Sequence, residues 1–172
     1  MPNMVDPQFA QTVTLICSHN DQGSLGVIIN QPMGIRCSDV LEQLDIKIEQ
    51  ALDDSWVYAG GPVHSEVGLI LHPPEGNWES TLSISNHIAI TSSKDILTAM
   101  GQGKAPPKTQ LILGYAGWYP GQLEKELADN CWLTAPADSH IVFDVPHEDR
   151  WNEAIKSLGI DLAHLSNQTG HA

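Results

Sequence analysis

Two β-branched runs open the apolar pattern of the chain, residues 12–18 (TVTLICS) and 25–30 (LGVIIN). Between them His19-Asn20-Asp21-Gln22-Gly23 has the length and composition of a tight connection, so the pattern predicts an N-terminal β-hairpin. Gln31-Pro32-Met33-Gly34 then breaks the strand, and Ser38 is placed to cap a short helix carrying Val40, Leu41 and Leu44. Residues 56–58, 67–72, 79–84 and 87–91 read as three or four further strands around the loop Pro73-Pro74-Glu75-Gly76. Ser92 and Asp95 have the spacing of a capping box for a helix with Ile96, Leu97 and Met100 inward, stopped by Gly101 and Gly103. Residues 110–115 (QLILGY) read as a buried strand, 117–119 as a turn, 120–129 as a helix, and 131–134 and 141–143 as short strands. After Pro146, Trp151, Ala154, Ile155 and Leu158 fall at i, i+3, i+4 and i+7, an apolar helical stripe closed by Gly159. Strands in runs broken by single helices do not give regular βαβα alternation. The expectation is an α+β fold, one mixed domain over residues 1–172, with a largely antiparallel sheet flanked by short helices.

The segment from Gly114 through Gly117-Trp118-Tyr119-Pro120-Gly121-Gln122 to Leu127 carries the most local information. Pro120 suits the first helical position, which makes Tyr119 the N-cap. Gln122 can then reach back to the Tyr119 N–H, and Trp118 can pack on Leu123 as a hydrophobic staple. Gln122 and Glu126 share a face at i, i+4 spacing. Two readings follow: a corner in which Trp118 is a core anchor, or a small polar pocket lined by Trp118, Gln122 and Glu126, with Arg150 converging on it.

Composition narrows the function classes. Lys and Arg total 8 against 21 Asp and Glu, a formal charge of −13. That field repels the phosphate backbone, and no basic run offsets it, so direct nucleic-acid binding is disfavoured. Three cysteines, widely spaced and without C-x-x-C, give neither a disulfide framework nor a zinc knuckle. No apolar run approaches the ~18 residues of a membrane span, and the first nine residues lack the form of a signal peptide, so the expected address is the cytoplasm.

The chemistry-bearing residues are sparse. Gly60-Gly61-Pro62 could turn N–H groups toward an anion, although Gly-Gly-Pro after a strand is more often a bend. Cys17 and His19 lie two apart on a strand, where alternate positions share a face, which makes a catalytic pair beside Trp118 conceivable; buried cysteines in strands are mostly packing. Eight histidines are dispersed without metal-ligand spacing, and no phosphate-binding loop or nucleophile motif is present, so neither a cofactor nor a metal is called for.

Five stretches, in order, complete the sequence reading: His19 with Gly23-Ser24-Leu25-Gly26-Val27-Ile28-Ile29-Asn30, Gly60-Gly61-Pro62-Val63, residues 114–127, Asn130-Cys131-Trp132-Leu133, and Arg150-Trp151 through Leu158-Gly159-Ile160-Asp161 to Gly170-His171-Ala172. Together they resemble the AlgH/YqgE family of small bacterial proteins. The resemblance implies a mixed α/β fold with a partly barrel-like sheet and a transcriptional-regulator label, without an agreed activity or catalytic residues to carry over. Gln31 stands where the resemblance suggests a basic residue, and Tyr119 where it suggests a smaller one. The functional expectation is a regulatory or adaptor protein acting through an unidentified protein partner or small ligand, with homo-oligomerisation open. The alternative is an enzyme with a site near Cys17, His19 and Trp118.

Overall fold

The computed structural model describes residues 11–50 and 55–159. Its sheet is assembled on one strand, β8 (Gln110–Trp118), whose run of apolar residues is buried along most of its length. One edge of this strand carries the antiparallel β5 (Val63–His72). The other edge is shared, by β2 (Gly23–Ile28) near Trp118 and by the parallel β4 (Trp56–Ala59) near Ile112. Beyond β5 come β7 (Ala89–Thr91) and β6 (Thr81–Ser83); beyond β2 comes β1 (Thr14–Asn20), and β3 (Pro32–Arg36) pairs with β4. The largely antiparallel, partly barrel-like α+β fold expected from the sequence is what these pairings form.

Strand alternation divides the interior. Leu111 and Ile112, adjacent on β8, point into different cores. The Ile112 side gathers Leu15, Val27, Ile29, Leu71 and Ile88. The Leu111 side packs against α1 (Cys37–Gln43) and α2 (Lys94–Gly101) through Leu41, Ile96, Leu97 and Met100. A smaller cluster under α3 (Gln122–Ala128) joins Ala116, Trp118 and Leu123.

Several elements differ from the sequence expectation for identifiable reasons. Pro32 opens β3 rather than ending structure, because the first residue of a strand tolerates a missing N–H. The first helix begins before Ser38: Arg36 is its N-cap, and its N–H donates to Asp39 Oδ2 at 2.8 Å. Ser93, not Ser92, caps α2, and Asp95 accepts from the Ser93 hydroxyl at 2.5 Å and from the Ile96 N–H at 2.9 Å. Residues 131–134 form no strand, and residues 141–143 lie in a helix, α4 (Ser139–Phe143). A short apolar run fits either a strand or a buried helix. Asp138 decides it, because its carboxylate accepts the His140 N–H at 2.8 Å and starts the turn. The last described helix is α5 (Arg150–Ser157).

Candidate functional site

The corner around Trp118 keeps its expected chemistry with a different backbone. Strand β8 runs straight through Gly117 to Trp118, and the reversal comes later, at Tyr119-Pro120-Gly121-Gln122. Gly121, at φ 76° and ψ −6°, has the left-handed conformation of the third position of a type II turn, and Gln122 N–H donates to Tyr119 O at 3.0 Å. Pro120 therefore belongs to the turn, and Gly121 is the N-cap of α3. The predicted return bond is made, since Gln122 Oε1 accepts the Tyr119 N–H at 3.0 Å. Trp118 packs on Leu123 as expected.

Trp118, Gln122 and Glu126 do converge, but on one another. Glu126 Oε2 accepts the indole N–H of Trp118 at 2.9 Å and that of Trp132 at 2.7 Å, while Oε1 accepts the Gln122 amide at 2.9 Å. The two indoles meet edge to face with centroids 5.8 Å apart. Burial pushes the Glu126 carboxyl upward, and the donors from Trp132, Gln122 and Trp118 outweigh it, holding the group below the usual carboxylate range. A carboxylate so engaged is a structural junction. It fixes Trp132, and with it the irregular stretch that follows, against α3.

Beside this junction lies a cleft of about 240 Å³. Trp118, Leu123, Leu127 and Trp132 form one wall, and Ile141, Trp151, Ile155 and Leu158 another. The pocket next to Trp118 is therefore apolar, and Gln122 and Glu126 brace its wall from behind. The third wall is the stretch 12–16, five consecutive residues. Thr14, Leu15 and Ile16 of this stretch lie in β1 and point to alternate faces, so a cleft touching all three runs along the strand's edge. Strand β1 is an end strand, and β2 is the one described strand that pairs with it. Ile29 N–H donates to Val13 O at 3.0 Å. Antiparallel alternation then turns the backbone groups of Thr14 and Ile16 toward the edge that no described strand pairs. Thr14 Oγ1 is buried without a hydrogen-bond partner among the described residues.

The other proposed site residues stand elsewhere. Arg150 is 3% exposed and acts as an internal clamp. Its Nε donates to Val145 O at 2.9 Å, its Nη1 to Ile29 O and to Gln110 Oε1 at 3.2 Å, and it lies 5.2 Å from the Tyr58 ring. Gly60 spends its N–H on Leu113 O at 2.8 Å, and its carbonyl accepts from Ile28. A Cβ on Gly60 would strike the Gly114 carbonyl, and one on Gly61 the Tyr115 backbone. The pair permits close approach to β8.

Cys17 and His19 are separated by a feature of pairing. Ile16 faces Gly26, yet Ser18 faces Leu25, so β1 bulges at Cys17 and the alternation shifts. Cys17 turns into the core with its thiol pushed up to about 12, mainly by burial, while His19 comes to the Ser24 and α3 side. His19 Nδ1 meets Ser24 Oγ at 2.7 Å, and Nε2 lies 3.6 Å from Glu124 Oε1. Ser24 is 7% exposed, and through His19 the contact with Glu124 links α3 to the hairpin. His72 is the buried histidine among those described: Nδ1–H donates to Pro73 O at 2.6 Å and Nε2 accepts from the Thr91 hydroxyl at 2.7 Å. Among the described residues, no three His, Cys, Asp or Glu side chains group to hold a metal.

The AlgH-like family model matches residues 1–163. The chain belongs to the AlgH-like family. Relatives called UPF0301 proteins include one from Nitrosococcus oceani, 48% identical, with 100% of this chain and 92% of the relative covered. Another, from Chromobacterium violaceum, is 47% identical over 100% of this chain and 93% of its own length. The solution structure of the AlgH protein from Pseudomonas aeruginosa superposes with a TM-score of 0.78 at 46% identity, covering 100% of this chain and 92% of that one. A Corynebacterium diphtheriae protein shares the fold at 21% identity and a TM-score of 0.71, over 90% of this chain and 81% of that one. No described helix is long and apolar enough to cross a membrane. Sequence reasoning overlooked Thr14, Ile141 and Leu158 as neighbours of Trp118. Trp132 was visible, within the Asn130-Cys131-Trp132-Leu133 stretch of the family resemblance.

Proposed function

We propose that the protein works by binding rather than by catalysis, as an adaptor that seats an extended, apolar segment of a partner protein in the cleft along β1. The edge of β1 that no described strand pairs, beside an apolar wall, carries this reading. An added strand takes its affinity from main-chain bonds and its specificity from side-chain contacts, and a strand edge beside an apolar wall is the arrangement that supports such binding. The buried hydroxyl of Thr14, without a partner among the described residues, belongs with them, because an isolated buried hydroxyl costs free energy that an incoming amide or carbonyl recovers. Against the enzyme reading near Cys17, His19 and Trp118 stands the bulge, with Cys17 packed in the core and the His19 imidazole against Ser24 and Glu124. Regulation through direct DNA contact is disfavoured by the charge of −13.

A selection from random eight-residue peptides tests the reading. The expected binders alternate apolar and polar residues, and Ile141→Asp abolishes their binding while the fold persists by circular dichroism. Binders without such alternation, or binders indifferent to Ile141→Asp, contradict it. Binding of unrelated duplex DNA at physiological salt would remove the claim that the protein avoids direct DNA contact.

A further inference from the structure

Besides β1, the cleft borders a second strip of main chain. Residues 132–138 line it without a gap, and because consecutive side chains point in different directions, the backbone itself forms part of that border. Both ends of the strip are fixed: Trp132 by its bond to Glu126, and Asp138 by the His140 N–H that its carboxylate accepts at 2.8 Å. Between them, no backbone N–H or C=O of residues 133–137 bonds another described residue. These residues are exposed, so water satisfies the groups and an incoming chain can replace that water. The edge of β1 presents the same kind of group at Thr14 and Ile16. A segment in the cleft therefore meets hydrogen-bonding main chain in two places. An extended chain has groups for both, since successive residues direct their N–H and C=O to opposite edges.

Charge narrows the chemistry of that segment. Asp138 is the one charged residue among those that line the cleft, and it is exposed; no described Lys or Arg lines it. The chain as a whole carries −13, so a cationic segment is steered toward the protein and an anionic one is repelled.

We propose that the occupant is a cationic extended segment of a partner protein, bonded through its main chain to β1 on one edge and to residues 133–137 on the other, with a Lys or Arg beside Asp138. The proposal rests on the reading of the cleft as a peptide site and names the chemistry of the partner. Alternate apolar side chains of the segment lie on the apolar walls, and the basic residues between them face the acidic rim. Pro136 has no N–H, so the bonds on that side centre on Leu133, Thr134 and Ala135.

The test uses blocked octapeptides that alternate valine with lysine, glutamine or glutamate, titrated calorimetrically at low salt into the wild type and into Asp138→Asn. Asparagine keeps an N-cap acceptor for α4 while removing the charge. The lysine peptide should bind about fivefold tighter than the glutamine peptide, with the glutamate peptide weakest. Asp138→Asn should narrow the lysine-to-glutamine ratio by about threefold and leave the glutamine peptide unchanged. Two further lysine peptides, N-methylated at the valines or at the lysines, each block one edge of the strand, and each should lose about tenfold in affinity. Equal affinity for the three peptides, an unchanged ratio in Asp138→Asn, or loss from only one of the two methylated sets would overturn the proposal while leaving the cleft a strand site. Self-association of the protein that the lysine peptide reverses would make a second copy the occupant and overturn it as well. If no peptide binds, or if Ile141→Asp leaves their binding intact, the reading of the cleft as a peptide site falls and this proposal falls with it.

Discussion

Trp132 donates its indole N–H to Glu126 Oε2 at 2.7 Å, across six residues of sequence, and this bond ties the wall of the cleft to α3. The same oxygen accepts from Trp118. Replacing Glu126 by Leu strands two indole donors and the Gln122 amide, and the expected cost is about 2–3 kcal/mol in urea unfolding. Glu126→Gln, which keeps an acceptor, should cost about half as much. In both variants, amide exchange of residues 131–138 should quicken before that of β8 changes.

Thr14 offers a sharper separation of stability from binding. Its hydroxyl is buried and has no hydrogen-bond partner among the described residues, so the isosteric Thr14→Val removes a desolvated polar group and should stabilise the free protein by about 0.5–1 kcal/mol. Peptide affinity should fall in the same variant. Loss of both stability and binding would mean that the hydroxyl serves the fold alone.

Stability should depend on pH through His72. Burial holds its imidazole below the usual histidine range, and its N–H bond to Pro73 O opposes that only in part. The unfolded chain therefore binds more protons below about pH 6.5. The contribution is fully present above that pH and is lost as pH falls through the lower folded value. Denaturant midpoints measured from pH 7.5 to 5 should decline in the wild type and flatten in His72→Gln. Glu126, also lowered, adds a second decline only below about pH 4.3, where the unfolded carboxyl titrates.

Cysteine reactivity tests the enzyme reading near Cys17 and His19. Cys17 and Cys37 are buried, and the Cys17 thiol is pushed up to about 12, whereas Cys131 is partly exposed. At pH 8, iodoacetamide should label Cys131 first and Cys17 only as the protein unfolds. Rapid labelling of Cys17 in the native state would favour that reading.

What the sequence made legible was local. The Gln122 bond to the Tyr119 N–H and the packing of Trp118 on Leu123 depend on residues within a few positions, and both were foreseen although the capping residue was not. The bulge at Cys17 was not visible, because it exists only in the pairing of β1 with β2. Arg150 misled for a related reason: its carbonyl partner on Ile29 lies 121 residues away, and an arginine satisfied by backbone looks identical in sequence to one awaiting a ligand. The cleft drew together Thr14, Trp132, Ile141 and Leu158 from four separate segments, and no periodicity announces such a meeting.

Backbone amide shifts of the protein, titrated with a selected alternating peptide, address the central claim most directly. The account predicts that perturbations concentrate at Thr12–Ile16, Leu127 and Ile141, and that the amides of Thr14 and Ile16 become protected from exchange. Perturbations centred on any other surface, with Thr14 and Ile16 exchanging as before, would contradict it.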